Sequence, residues 1–249
     1  MAFKTYIIYE GPSLIDGKPI VVLAQLGSDN RKTGDMMQTF ILRADIDPLT
    51  ANRIGEDVSI CGTCPHMGTP NPTATKGQAV GRTCYVTLIH APASKYRAYV
   101  AGRYPKISGH KSIADIGFGQ MVRLGTYGDP SAAPQYIWDS LISRATGHTS
   151  YTHGKVNPAP KTHMTSADSS AQAKAAWARG ERTFRIISRV TDVMKGHEIL
   201  CPASEEAGKR ATCDTCKLCA GSSIKAKSIA IVAHGTSRRA TRALISSIA

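Results

Sequence analysis

The chain has 249 residues, of which 31 are Lys or Arg and 18 are Asp or Glu, so its formal net charge is +13. With 42% apolar and 20% charged residues, it has the composition of a globular protein, which excludes a disordered or collagen-like chain. No apolar run approaches the about 18 residues of a membrane span. The N-terminal stretch Met1–Tyr6 lacks the pattern of a secretory signal, so we expect a cytoplasmic protein.

Nine short runs rich in β-branched and aromatic residues predict β-strands. Most of these runs are nearly continuously apolar, which is typical of strands buried on both faces of a parallel sheet. In chain order they are Pro19–Gln25, Thr39–Ala44, Cys84–His90, Gln120–Thr126, Thr149–His153, Lys161–Thr165, Arg182–Ser188, His197–Cys201 and Ser228–His234.

Helices are predicted between several of these strands. Asp47-Pro48 provides an N-cap and a first-turn proline for a helix over Leu49–Ile54. Ser169-Ser170 begins another helix that Gly180 ends. Apolar residues at helical spacing predict the remaining helices, which are Ser94–Gly102, Ala133–Arg144 and Ser237–Ile248.

The alternation of strands and helices predicts an α/β fold. Some eight strands with helices between them favour a (β/α) barrel-like domain, irregular or incomplete, because the helices are short for a full barrel. An open α/β sheet is the alternative. No linker or repeat divides the chain, so we expect one domain over residues 1–249 with a Cys-rich C-terminal segment.

The seven cysteines fall into two groups separated by more than a hundred residues. Without a secretory signal they do not indicate a disulfide framework. The second group contains Cys201 and the run Cys213-x2-Cys216-x2-Cys219, which places three thiols around one turn with Cys201 as a fourth. Four cysteines suit either zinc or a 4Fe–4S cluster, and the two-residue gaps favour iron–sulfur.

The first group consists of Cys61-x2-Cys64 and Cys84. Three thiols leave a fourth coordination position, which His66, another histidine, water or a substrate could fill. An iron–sulfur cluster with an open iron would be catalytic and could bind S-adenosylmethionine, whereas a zinc held by three Cys and one His would be structural. A thioredoxin-type dithiol at Cys61 and Cys64 is a further alternative.

Other polar residues are candidates for binding and catalysis. Arg31 and Lys32, in the glycine-bounded loop 27–35, and Arg123, before the Gly125–Gly128 turn, could bind an anionic substrate or cofactor. Asp129 lies just past one predicted strand and His153 at the end of another, and these two residues are the catalytic candidates. A solvated turn, a helix cap at Asp129 and a structural histidine are the respective alternatives.

The cysteine spacing and several short motifs resemble uncharacterised phage and bacterial proteins, some of which resemble radical-SAM barrel enzymes. The resemblance runs from about residue 28 to 221 and implies a barrel-like fold carrying Cys-bound metal clusters in a bacterial cell or a phage-infected host. Its motifs are Asn30–Gly34, Cys61–Pro65, Cys84-Tyr85, Arg123–Asp129, Tyr151–His153, Cys201-Pro202 and Cys213–Cys219. Radical-SAM enzymes carry a Cys-x3-Cys-x2-Cys run, which this chain lacks.

Two functions are consistent with these patterns. The first is an iron–sulfur protein, a redox or radical-type enzyme acting on an anionic substrate such as nucleic acid or a nucleotide, because the net charge of +13 favours a polyanionic partner. The second is a zinc-stabilised, non-catalytic nucleic-acid-binding protein of phage or plasmid metabolism.

Overall fold

A computed structural model describes residues 3–154, 161–235 and 237–248 as a mixed α/β protein with ten strands and eight α-helices. The strands are β1 (Thr5–Pro12), β2 (Pro19–Gln25), β3 (Met37–Arg43), β4 (Met121–Tyr127), β5 (Gly147–Thr149), β6 (Tyr151–Thr152), β7 (Met164–Ala167), β8 (Thr183–Ile187), β9 (Glu198–Leu200) and β10 (Ser228–Val232). The helices are α1 (Pro48–Ile54), α2 (Val58–Cys61), α3 (Ala91–Val100), α4 (His110–Gly117), α5 (Gln135–Ile142), α6 (Ser170–Ala178), α7 (Cys213–Cys216) and α8 (Arg238–Ile248).

The first sheet has the strand order β1-β2-β3-β4-β5. Strands β1, β2 and β3 form antiparallel pairs, whereas β4 runs parallel to both β3 and β5. All seven residues of β3 are buried, as expected for a central strand covered on both faces. The largest hydrophobic core packs around this sheet and includes the fully buried Trp138 of α5.

The second sheet has the order β6-β7-β8-β10-β9, and all of its pairs are parallel. Only Ser150 separates β5 of the first sheet from β6 of the second, so one extended segment belongs to both sheets. The second sheet has smaller cores, built around Met164, Ile229 and Ile231 on one side and around Ile187, Ala230 and Val232 on the other.

The structure confirms the α/β class. Each sheet has two edge strands, which pair with only one neighbouring strand. Over the described ranges both sheets are therefore open, and neither closes into a barrel. Two predicted helix caps are also confirmed. The Asp47 side chain accepts hydrogen bonds from the amides of Leu49 and Thr50, and the Ser169 side chain accepts one from Gln172. None of the helices in the described part of the chain is long and apolar enough to cross a bilayer.

The prediction of a strand over Cys84–His90 is wrong. This segment is a loop that leads into α3, and only Leu88 is deeply buried in the core, whereas Tyr85 and Ile89 are largely exposed. The apolar run predicts a strand, but the start of the segment pairs with the neighbouring cysteine loop, because the amides of Thr83 and Cys84 both donate to the carbonyl of His66. Local contacts therefore outweigh β-propensity at this position.

Gly117 allows α4 and α5 to pack closely, because a Cβ atom at this position would lie 1.9 Å from the carbonyl oxygen of Leu141. We expect Gly117→Ala to lower the free energy of unfolding by about 1–3 kcal/mol, since the two helices must separate to admit a methyl group. Urea unfolding measures the change, with the exposed Ser112→Ala in the same helix as control. An unchanged midpoint for Gly117→Ala would show that the helices adjust without cost.

Candidate functional site

A cavity of about 360 Å³ lies over one face of the second sheet. It is lined by Phe184 and Ile186 of β8, by Ile231 of β10 and by Ala233, which directly follows β10. Alternate residues of a strand share one face of its sheet, which identifies the face that the cavity covers. Its polar lining comes from both halves of the chain and includes Lys32, Cys64, His66, Cys84, Arg123, His153, Asp168, Cys201, Cys213, Cys219 and His234.

The first cysteine group is assembled by backbone hydrogen bonds. Cys61 is the last residue of α2, and the amide of Cys64 donates to its carbonyl. Cys84 joins them because its own amide bonds the carbonyl of His66, directly after the Cys64-Pro65 step. The three predicted ligands are thus brought together, and Cys64 and Cys84 line the cavity.

The second cysteine group is held against the predicted anion-binding loop. Cys213 and Cys216 lie on the single turn of α7, and the amide of Cys213 donates to the carbonyl of Lys32. The carbonyl of Cys219 accepts from Ser150, the residue between the two sheets. Cys201, which follows β9, also lines the cavity, so three of the four thiols of this group, Cys201, Cys213 and Cys219, meet there.

Burial raises the pKa of five of the seven thiols, which belong to both groups. In the first group the pKa values of Cys61 and Cys84 are raised by desolvation and by neighbouring cysteines. In the second, burial raises the pKa of Cys201, Cys213 and Cys219, and the other cysteines of the group add to the rise. Thiols so close together cannot all ionise unless a cation compensates their charge, and a bound metal ion is such a cation.

All seven cysteines are free thiols. Among residues 3–154, 161–235 and 237–248, no three side chains of His, Cys, Asp or Glu are arranged to hold a metal ion as they stand. Metal binding at either group therefore requires the thiol side chains to turn toward a common point.

His153 belongs to a chain of polar contacts at the edge of the cavity. Its amide donates to Asp129 Oδ2 at 2.6 Å, and its Nε2 lies 3.3 Å from Asp168 Oδ1. Burial works to lower the pKa of His153, but hydrogen bonds to Asp168 and to the Cys64 thiol raise it well above its ordinary value. His66 contacts the same carboxylate oxygen, with its Nε2 3.5 Å from Asp168 Oδ1.

These contacts assign different roles to the two catalytic candidates. His153 lines the cavity beside Cys64, so it can hold or release a proton there or act as a ligand. Asp129 is buried away from the lining and accepts hydrogen bonds from Ser131, Thr152 and His153, so it positions His153. The Cys64 thiol forms a hydrogen bond with His153, whereas His66 Nδ1 is bound to the Thr83 hydroxyl.

The three predicted anion-binding residues have different locations. Lys32 and Arg123 line the cavity, whereas Arg31 is exposed and outside its lining. The loop amides are largely satisfied internally, because Asn30 accepts from the amides of Lys32, Thr33 and Gly34. Anion binding at this loop would therefore depend on the Lys32 side chain more than on a nest of free backbone amides.

Sequence reasoning missed two important groups. The buried guanidinium of Arg182 donates hydrogen bonds to the carbonyls of Leu218, Gly221, Ala226 and Lys227, which fixes the chain after Cys219. Nothing around Arg182 in the sequence marks it as different from a surface arginine. Asp168 follows β7 in the chain, and its pairing with His153 depends on the three-dimensional proximity of β6 and β7, which the sequence does not show.

Comparison with known proteins adds no assignment: no family model, no curated protein and no solved structure matches the chain. The resemblance to Cys-rich phage and bacterial proteins therefore remains a prediction.

His163 is a structural residue in this arrangement. Its Nδ1 accepts from Ser150 Oγ at 2.6 Å, and its Nε2 donates to Gln135 Oε1 at 3.1 Å, which is the pattern of a neutral imidazole. Burial lowers its pKa to about 4. The unfolded chain, with a His pKa of about 6.5, binds this proton more readily, so stability is lost as pH falls from about 6.5 toward 4.

We expect His163→Gln to remove part of the acid sensitivity of the fold. The wild type should lose about 2–3 kcal/mol more unfolding free energy than the variant between pH 7.5 and pH 4.5. Urea titrations at the two pH values provide the measurement, with the exposed His90→Gln as control. Parallel losses in wild type and His163→Gln would mean that another group causes the acid sensitivity.

Proposed function

We propose that the protein holds two 4Fe–4S clusters and is a redox or radical-type enzyme acting on an anionic substrate in the cavity between them. Cys61, Cys64 and Cys84 would hold one cluster, and Cys201, Cys213, Cys216 and Cys219 the other. The observation that carries the proposal is the convergence of both cysteine groups, distant in sequence, on one cavity.

The donor set of each group is consistent with iron–sulfur ligation. Cysteine thiolates are the usual ligands of such clusters, and the turn of α7 presents Cys213 and Cys216 three residues apart. Bound clusters would supply one-electron transfer. The cytoplasm, which keeps thiols reduced, is the compartment we propose.

The surrounding residues have defined tasks in this proposal. Lys32 would offset thiolate charge, since its ammonium group opposes the rise that burial causes in the pKa values of Cys201 and Cys213. His153, oriented by Asp129 and Asp168, either completes the three-cysteine site or moves a proton at its imidazole ring. If His153 is not a ligand, the fourth position of that site is open to a substrate or to S-adenosylmethionine.

The proposed architecture is an irregular, incomplete barrel. Strands β3, β4 and β5 are parallel neighbours, as are β6, β7, β8 and β10, and the step through Ser150 connects the two sets. His153, Asp168 and His234 follow the carboxyl ends of β6, β7 and β10, and all three line the cavity. Active sites of (β/α) barrels are built at this end of the strands.

Metal analysis of protein purified without oxygen tests the two-cluster proposal. We expect about eight irons and eight sulfides per chain with broad absorption near 400 nm, because each 4Fe–4S cluster contributes four of each. Cys84→Ala and Cys219→Ala should each lower the iron content by about half, since each removes a ligand of one group only.

The two variants serve as controls for each other. If each alone removes all the iron, the seven thiols belong to a single centre. Protein that contains zinc and no iron would exclude the redox function.

A zinc-stabilised nucleic-acid-binding protein is the second candidate, because two observations favour it. His153 beside Cys64 offers a closed set of three Cys and one His, which is a structural zinc set. In addition, Arg238, Arg239 and Arg242 of α8 are exposed and form no ion pair within the described residues.

Replacing Arg238, Arg239 and Arg242 by Ala tests nucleic-acid binding. The variant should bind a single-stranded oligonucleotide more weakly, and the slope of log affinity against log salt should fall by about 2, because each lost phosphate contact changes it by about 0.7. Fluorescence anisotropy at several salt concentrations measures both effects. A variant lacking Lys76, Arg103 and Lys111, which are also exposed, is the matched control; equal losses in the two variants would indicate a general charge effect without a site on α8.

A further inference from the structure

Unpaired buried polar atoms concentrate on the cavity. Among the residues that the structure describes, five buried side-chain atoms have no hydrogen-bond partner, and three of them belong to cavity-lining residues. One of the three, His66 Nε2, lies 3.5 Å from Asp168 Oδ1, which leaves Arg123 Nε and Thr149 Oγ1 without a polar partner. Nearly all buried polar groups in folded proteins are hydrogen-bonded, so each exception requires an explanation. Their common location indicates that the cavity receives a polar occupant.

Arg123 is the strongest of these groups. It extends from β4, is only 8% exposed, and donates through Nη2 to the Tyr85 hydroxyl, which leaves Nε free. The rings of Tyr85 and Tyr151 lie 5.8 and 5.9 Å from the guanidinium carbon. A buried guanidinium keeps its charge, so its unpaired N–H is best satisfied by a negatively charged acceptor.

A second cation faces the same cavity. Lys32 Nζ lies 3.0 Å from His234 Nε2, and neither Lys32 nor Arg123 forms an ion pair with a carboxylate in the ranges 3–154, 161–235 and 237–248. The carboxylate on the cavity wall, Asp168, is already engaged by His66 and His153. This part of the cavity therefore offers positive charge without a protein counter-ion.

The remaining lining is aromatic and apolar. Tyr151 stacks on Phe184 with their ring centroids 4.2 Å apart, and Tyr85, Ile186 and Ile231 extend the surface. With a volume of about 360 Å³, the cavity lies in the lower part of the range for small-molecule sites, about 300–1,000 Å³. A molecule with a planar ring and one anionic group matches this combination of walls and charges.

We propose that the cavity is a mononucleotide-binding site, in which Arg123 Nε and Lys32 Nζ hold the phosphate and the aromatic side chains contact the base. The identification of the nucleotide as a substrate rests on the proposed enzyme function. Binding of the nucleotide can be measured independently of any reaction. It also makes Arg123 the residue that distinguishes a nucleotide from its nucleoside.

Calorimetric titration of the full chain, purified without oxygen, tests the assignment with adenosine 5′-monophosphate and adenosine at matched ionic strength. The nucleotide should bind at least about tenfold more tightly than the nucleoside, because the buried donors have charged partners only in the nucleotide complex. Arg123→Gln should abolish this preference, whereas Arg123→Lys should retain part of it. Arg144→Gln removes an exposed cation that is paired with Asp115 and serves as control.

Several results would overturn the assignment. Equal binding of nucleotide and nucleoside by the wild type would overturn it, even if Arg123→Gln fails to fold. An unchanged preference for the nucleotide in a folded Arg123→Gln variant would also overturn it. Binding of single-stranded DNA without binding of the mononucleotide would replace it by a polymer site. Inorganic phosphate that competes with the nucleotide more strongly than chloride at equal ionic strength supports a phosphate subsite, and no competition contradicts it.

The outcomes also separate the two proposals. Nucleotide binding by a chain that contains no iron would refute the iron–sulfur function and leave the binding site intact. Iron in both cysteine groups without nucleotide binding would support the iron–sulfur function and refute the nucleotide site.

Discussion

The segment from Gly147 to Thr152 is the constraint on which the arrangement of the site depends, because it belongs to both sheets. Its first half pairs with β4, where Thr149 lies opposite Arg123, and its second half pairs with β7, where Thr152 lies opposite Thr165. A shift of one residue in this register would turn Tyr151 and His153 to the other face of the sheet. The register therefore places the Arg123 guanidinium, the Tyr151 ring and the His153 imidazole around one space.

Buried polar contacts then fix the loops that close this space. The loop after Cys219 contributes no long apolar run, and the carbonyls of Leu218, Gly221, Ala226 and Lys227 are held by the single guanidinium of Arg182. Hydrogen bonds to a charged group are stronger than those between neutral groups. Removing Arg182 would leave buried carbonyls unpaired, so the second cysteine group depends on this arginine as much as on its own turn.

Strands and helix ends that depend on interactions between residues close in sequence could be predicted from the sequence. Pro19–Gln25 is a continuous apolar run and is β2 at the predicted bounds, and Asp47 and Ser169 act as helix caps because their side chains satisfy amides of the first turn. The strand β1, whose sequence TYIIYEGP contains Glu, Gly and Pro, was missed because a sheet edge tolerates residues that weaken the strand signal. The strand predicted over Cys84–His90 is absent because hydrogen bonds to the His66 loop outweigh the β-propensity of its β-branched residues.

The candidate site was predictable in its chemistry and unpredictable in its geometry. Cysteine spacing indicates two groups of thiols, but their convergence on one cavity follows from strand order, which spacing does not encode. The same convergence explains the unpaired cations. While the thiols are protonated and neutral, Lys32 and Arg123 face no negative charge, and either metal-bound thiolates or a bound anion would supply it. The Arg123 guanidinium interacts electrostatically with Tyr85 and with the thiols of Cys213 and Cys219. A metal centre with thiolate ligands and an anionic ligand would therefore both be stabilised by the same guanidinium. We expect the binding of one to lower the affinity of Arg123 for the other.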